Sequence, residues 1–212
     1  MKRWMIAVLG VTLMLWGGCG KGSTNPDDGT EEPPKDVKAE VQQLINDGWA
    51  AFESGDFETA VTTFTDAIVK ENGKYDTLRA EALSGRGWSR IYLSELQNAR
   101  NDFDGGNRLK TTQQVKNDIK AGFGVVFNAL NMYSSCASIL EGLLNVAPDY
   151  QFQHRPAVTA FRLRLMAAQS YYALGNFIKV ASHLDVLDPD NAPHDYNDPE
   201  ALLRALEQLQ GN

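Results

Sequence analysis

One spacing recurs four times along this 212-residue chain: a small residue, a second residue twelve positions on, then apolar or small side chains four and seven positions further. It reads Gly48, Ala60, Phe64, Ala67; Gly87, Ala99, Phe103, Gly106; Gly124, Cys136, Leu140, Leu143; and Ala168, Val180, Leu184, Leu187. Offsets of four and seven put three side chains on one helical face, and the twelve-residue step leaves room for the rest of a first helix and a tight turn. The spacing predicts four helix-turn-helix units. Hairpins of this size cannot bury their apolar faces alone, so they stack on their neighbours and leave an extended concave surface. Such a surface is suited to holding something rather than to chemistry.

The local signals agree with that division. Asp36 caps a first helix whose stripe is Val37, Val41, Leu44, Gly48 and Phe52, and Gly55-Asp56 breaks it before a second helix from Phe57 to Ile68. In the second unit, Gly87-Trp88 repeats Gly48-Trp49, a turn falls at Ser94-Glu95, and Leu96, Ala99 and Phe103 follow. The third unit carries Gly124, Tyr133, Cys136, Leu140 and a closing Pro148; the fourth has Ala168, Tyr171, Gly175-Asn176-Phe177, Leu184 and Pro189. Asp198-Pro199-Glu200 combines a cap, a first-turn proline and an acid, so Ala201 to Gln210 is predicted as a helix covering the last exposed face.

Gly48-Trp49-Ala50-Ala51-Phe52 through Phe57-Glu58-Thr59-Ala60, with Phe64 and Ala67 behind it, resembles the tetratricopeptide repeat (TPR). The resemblance covers residues 37–190 and implies an all-α fold: a right-handed α-α superhelix of about four TPR-like hairpins plus a C-terminal capping helix in 191–212. The repeat departs from the standard one in period. Its small residues are 39, 37 and 44 positions apart, against roughly 34. The extra residues fall between hairpins, around Thr111-Gln114 and Gln151-His154, which implies longer helices or looser connections.

The N-terminus reads as an address. Lys2 and Arg3 precede an apolar run from Trp4 to Trp16, short of the roughly twenty residues that span a bilayer. Leu15-Trp16-Gly17-Gly18-Cys19 resembles the lipobox of bacterial lipoproteins, which implies a signal peptide over 1–18 and acylation of Cys19. Gly20 after the cysteine resembles the outer-membrane address of enterobacterial lipoproteins. Residues 19–36 are rich in Gly, Ser, Thr, Pro, Asp and Glu and are predicted to be a disordered tether. Without residues 1–18 the chain carries 18 basic against 27 acidic side chains. That balance argues against nucleic acid and against anionic lipid surfaces beyond the anchor.

Signals for chemistry are weak. His154, His183 and His194 share no ligand spacing. Cys136 sits at the small inward position of its helix, as a core residue rather than a nucleophile. Asp188, Asp190, Asn191, Asp195, Asn197 and Asp198 have the oxygens of a calcium site but also the composition of turns and caps, and the spacing lacks the EF-hand pattern. Neither a cofactor, a metal site nor an enzyme is expected.

The TPR resemblance carries one further implication. Positions one, four and five after the small helix-A residue face the concave groove in such domains, which transfers here to Trp49, Phe52, Trp88, Ile91, Tyr92, Asn128, Gln169 and Tyr172. Trp49 and Trp88 are open to a second reading, as core between hairpins. Arg86 and Arg90 flank Trp88 and are candidates to pair with a partner carboxylate or to stay solvated. The function expected is a non-enzymatic, lipid-anchored scaffold or adaptor in a cell-envelope complex, binding an envelope protein or peptide segment. The alternative is a glycan or small-ligand binding lipoprotein that uses the groove aromatics as stacking platforms.

Overall fold

The computed structural model describes residues 36–211; the signal peptide, Cys19 and nearly all of the expected tether lie outside them. Nine α-helices fill this region: α1 Val37–Ser54, α2 Phe57–Glu71, α3 Asp76–Tyr92, α4 Leu96–Asn107, α5 Gln113–Ala129, α6 Tyr133–Leu144, α7 Ala160–Ala173, α8 Phe177–Leu187 and α9 Pro199–Gln210. A 3₁₀ turn, Pro189–Asn191, precedes the last. None of the described helices is long and apolar enough to cross a membrane.

The ends of the helices follow from local chemistry. Asp36 Oδ1 accepts from the Lys38 and Ala39 amides at 3.0 and 3.4 Å, Asp56 from Thr59 at 3.1 Å, and Asp198 from Ala201 at 2.9 Å. Each satisfies an amide that the first helical turn leaves without a partner. Gly55 ends α1 at φ +87°, a conformation that costs a residue with a Cβ but not glycine. Thr112 caps α5 through the Val115 amide. Gln113 and Gln114, expected in a connection, therefore open that helix instead.

Successive odd-numbered helices touch: α1 with α3, α3 with α5 and α5 with α7. The even-numbered α2, α4, α6 and α8 make no contact with one another among the described residues and pack only on their sequence neighbours. The odd helices thus form the inner, concave layer of an α-α superhelix and the even ones the outer layer, with α9 packed on both α7 and α8.

The repeated spacing has a steric cause. A Cβ on Gly48 would lie 2.8 Å from the Phe64 ring, one on Gly87 2.7 Å from Phe103, and one on Gly124 2.2 Å from Leu140. The small helix-A residue is the seat for the bulky helix-B residue sixteen positions later. The same ring also reaches forward. A Cβ on Gly85 would meet Phe64 at 2.2 Å, and one on Gly122 would meet Phe103 at 2.2 Å. One aromatic side chain therefore fixes its own hairpin and docks the next. In the third unit the bulky helix-B residue is the smaller Leu140, and the position two before Ala168 is Met166 rather than a glycine.

Two apolar clusters result. The larger runs from Val41 through Phe64, Trp88, Phe103 and Leu140 to Leu163 and Ala167; the smaller unites Leu165, Ala168, Val180, Leu184, Leu202 and Leu206. Helix α7 feeds both, the first with Leu163 and Ala167 and the second with Leu165 and Ala168. Cys136 is fully buried in the first, as a core residue.

Candidate functional site

The 44-residue interval between Gly124 and Ala168 contains an element that the repeat does not have. Residues 145–159 leave α6, cross the inner layer and return to α7. Within this strap the aromatic side chains alternate with polar ones: Tyr150 and Phe152 are buried and His154 half-buried, whereas Gln151 and Gln153 are exposed. A period of two is that of an extended strand with one covered face. The backbone closes on itself: the Phe152 amide donates to the Val158 carbonyl at 2.9 Å, the Ala160 amide to the Tyr150 carbonyl, and Gln151 and Thr159 form an antiparallel bridge.

Together the inward side chains of the strap reach three inner helices, α1, α3 and α5. Phe152, with no exposed surface, stacks on Trp88 of α3 at 4.5 Å between centroids and meets Trp49 and Phe52 of α1 edge-on at 5.9 and 6.2 Å. His154 lies flat on Trp49 at 3.7 Å with 2° between planes, and its Nδ1 is 2.7 Å from Glu53 Oε1. The Tyr150 hydroxyl donates to Asp118 Oδ1 of α5 at 2.8 Å, and Gln114 donates to the same oxygen at 3.0 Å. The Arg155 guanidinium covers the Tyr92 ring at 4.8 Å from its centroid. That ring in turn stacks on Phe57. Offset and edge contacts of this kind add roughly 0.5–1.5 kcal/mol each to the area that they bury.

The eight residues expected to face the groove divide accordingly. Trp49, Phe52 and Trp88 are buried. They belong to the core beneath the strap, and while it is in place they offer no face to a peptide or a glycan. The Trp88 indole donates to the Asp118 carbonyl at 3.1 Å, which leaves its polar tip satisfied inside. Tyr92 remains exposed, and Ile91, Asn128, Gln169 and Tyr172 are half-buried along the uncovered part of the inner face. Arg86 and Arg90, treated from sequence as free for a partner or for solvent, do neither. Arg86 makes a two-pronged contact with buried Asp102 of α4, with Nη2 to Oδ1 at 2.6 Å, and Arg90 Nη1 reaches Asp102 Oδ2 at 2.6 Å. They tie α3 to α4 within one hairpin.

The acidic loop behind α8 is held by local hydrogen bonds, some of them to α8 itself. Asp185 Oδ1 accepts from the His194 amide and faces His194 Nδ1, both at 2.8 Å; Asp188 holds Asn191; Asp195 accepts from the Asn197 amide. Among the described residues no group of three or more His, Cys, Asp or Glu is placed to share a metal ion.

Beside the strap lies a cavity of about 210 Å³, lined by Trp49, Glu81, Ser84, Thr112, Gln114, Val115, Asp118, Gln153 and His154. Its two carboxylates are both perturbed. Burial pushes Asp118 up to about 6, against the pull of the Tyr150 and Gln114 hydrogen bonds and helped by the charge of Glu81. Burial also raises Glu81, partly offset by the indole N–H of Trp49 beside it and by His154. The spacing of small and bulky residues did not point to Glu81, Ser84, Asp118 or the strap. The alternation of Tyr150, Phe152 and His154 after Pro148, inside the longest interval, is the signal that could have found the strap.

No protein-family model matches this chain, and no curated protein does. Solved structures match its fold. A tetratricopeptide repeat protein from Parabacteroides merdae is 16% identical with a TM-score of 0.58, over 82% of this chain and 61% of its own, so the chain spans less than two thirds of that structure. YrrB, described as a TPR protein with an unusual peptide-binding site, is 12% identical with a TM-score of 0.59, over 84% and 94%. MamA is 16% identical with a TM-score of 0.55, over 83% and 85%. The fold of this chain is thus the TPR superhelix.

Proposed function

We propose that this protein is a lipid-anchored interaction scaffold of the bacterial cell envelope, whose inner helical face receives an extended segment of a partner protein. The observation that carries the reading is the strap. An extended stretch of chain already occupies this face, with alternate side chains seated on three different helices and main-chain groups paired. Segments of that geometry are what such a surface accepts. Because the hairpins are held by core contacts independent of the strap, the face is ordered before a partner arrives, which lowers the entropic cost of binding. The described solved structure of a TPR protein with a peptide-binding site fits this reading. Tyr92, Ile91, Asn128, Gln169 and Tyr172 form the surface available to the partner, and the acylated Cys19 holds the scaffold to the membrane, in the outer membrane by the Gly20 address.

Two experiments test this. Photo-crosslinking residues placed at Tyr92 and Tyr172 in intact envelopes should give discrete adducts to one protein. The same residue at Val69, on the outer layer and 71% exposed, should not. A ladder of bulk envelope proteins from all three positions would overturn the scaffold reading. For the anchor, Cys19→Ser should leave an unprocessed precursor, and normal processing of that variant would refute lipidation.

A further inference from the structure

The cavity beside the strap is distinct from the surface just assigned to a partner, and its chemistry is one-sided. Its lining contains two carboxylates and no lysine or arginine, and His154, its one basic group, is already turned to Glu53. Glu81 makes no ion pair among the described residues. Asp118 uses Oδ1 for both Tyr150 and Gln114, leaving Oδ2 without a donor.

Two buried groups in the same lining lack partners. The Ser84 hydroxyl, on a residue 1% exposed, makes no hydrogen bond, and the Trp49 indole Nε1, on a residue 6% exposed, makes none of normal geometry, though Glu81 lies beside it. Buried groups of this kind cost roughly 1–3 kcal/mol each when left unmade. Their coincidence in one pocket with two carboxylates is not what core packing requires, because an apolar side chain at position 84 or 49 would remove the cost.

We infer that this cavity is a binding site for an organic cation, a primary ammonium on a short aliphatic stem, held between Glu81, Asp118 and the Ser84 hydroxyl. Every donor of such a cation finds an acceptor here. An ammonium group has three N–H donors, which are met by one oxygen of Glu81, Oδ2 of Asp118 and Oγ of Ser84. The second oxygen of Glu81 is then free to accept the Trp49 indole N–H. The volume is several times the roughly 30 Å³ share of one water, which leaves space for the stem against Val115 and the Trp49 ring. Such a cation is either a free amine or the side chain of a partner's lysine.

The test is titration of the ¹⁵N-labelled full chain in detergent with n-butylammonium, its neutral counterpart 1-butanol, and the tripeptide acetyl-Gly-Lys-Gly-amide, read at the Trp49 indole N–H. The Trp88 indole, already bonded to the Asp118 carbonyl, is the internal reference. The expected result is a saturable shift of the Trp49 signal with n-butylammonium, none with 1-butanol, and affinity lowered tenfold or more in Glu81→Gln. That variant keeps the size of the side chain and removes a charge that forms no ion pair among the described residues, and Asp118→Asn, which keeps an oxygen for Tyr150 and Gln114 and loses the charge, serves as the second variant. A response to the tripeptide assigns the cation to a partner's lysine; a response to n-butylammonium alone assigns it to a free amine. No saturable shift with either cation, an equal response to 1-butanol, or unchanged affinity in Glu81→Gln would overturn the inference.

Discussion

Replacing Phe152 by alanine separates the strap from the scaffold that carries it. The ring has no exposed surface and meets Trp88, Trp49 and Phe52. Truncating a buried phenylalanine costs about 3–5 kcal/mol where the surroundings cannot collapse, and a floor of two tryptophans and a phenylalanine on packed helices has little freedom to do so. Had Phe152 been on one of the repeat helices, that loss would fall on global stability. On the strap it falls on a local equilibrium, because the remaining ties are the Tyr150–Asp118 bond, the His154 stack, the Arg155–Tyr92 contact and a few main-chain bonds. Hydrogen exchange reads this directly. The Phe152 and Ala160 amides, bonded to Val158 and Tyr150, should exchange faster by roughly a hundredfold to a few thousandfold, at about 1.4 kcal/mol per decade. The amides of Phe64 and Ala67 in α2 should hold their protection, and tryptophan emission should shift to the red as Trp49 and Trp88 meet water. A uniform loss of protection across α1–α9 would refute the reasoning, since it would make the strap part of the global folding unit. So would an unchanged Phe152 amide.

Two further predictions concern the frame. Gly85→Ala gains about 1 kcal/mol of helix propensity but forces the Phe64 ring back by roughly 1 Å against a full core, an overpacking cost of about 1–3 kcal/mol; Gly142→Ala, with nothing within 4 Å of its Cβ, keeps the gain alone. Urea midpoints should therefore fall for the first and rise for the second, and equal stabilisation by both would sink the interlock. The second concerns acid. Asp118, raised to about 6, is protonated in the fold while the unfolded chain has already lost that proton, so its contribution to stability is present below about pH 4 and is lost as pH rises to 6. His183 runs the other way: burial lowers it to about 4, the unfolded chain takes the proton first, and stability is lost as pH falls from about 6.5 to 4. Urea midpoints between pH 4 and 7 should drop more steeply toward acid in Asp118→Asn than in the wild type, and less steeply in His183→Gln; parallel curves would contradict both assignments.

The hairpins were legible because their cause is local and periodic. A helix puts residues sixteen apart, across one turn, into a knob and its seat, so Gly48 with Phe64 or Gly87 with Phe103 can be read from spacing before any neighbour is known. The caps at Asp36, Asp56 and Asp198 are equally local, each acting within three residues. The fates of Trp49 and Trp88 were not legible. Helical period shows that both lie near the inner face, yet whether that face meets water depends on a segment that arrives from more than sixty residues away. Arg86 and Arg90 illustrate the same limit, since only the angle between α3 and α4 delivers Asp102 to them. Glu81, Ser84 and Asp118 sit on two helices at positions that no periodicity distinguishes, and a cavity exists there because the strap roofs it. Sequence alone determined the helices, their order and the way the two helices of each hairpin lock together, because those follow from contacts at short and repeating separations. Which part of the inner surface is core, which is open and where unpaired polar groups collect was decided by the tertiary structure, through one non-repeating segment whose burial satisfies aromatic side chains contributed by α1 and α3.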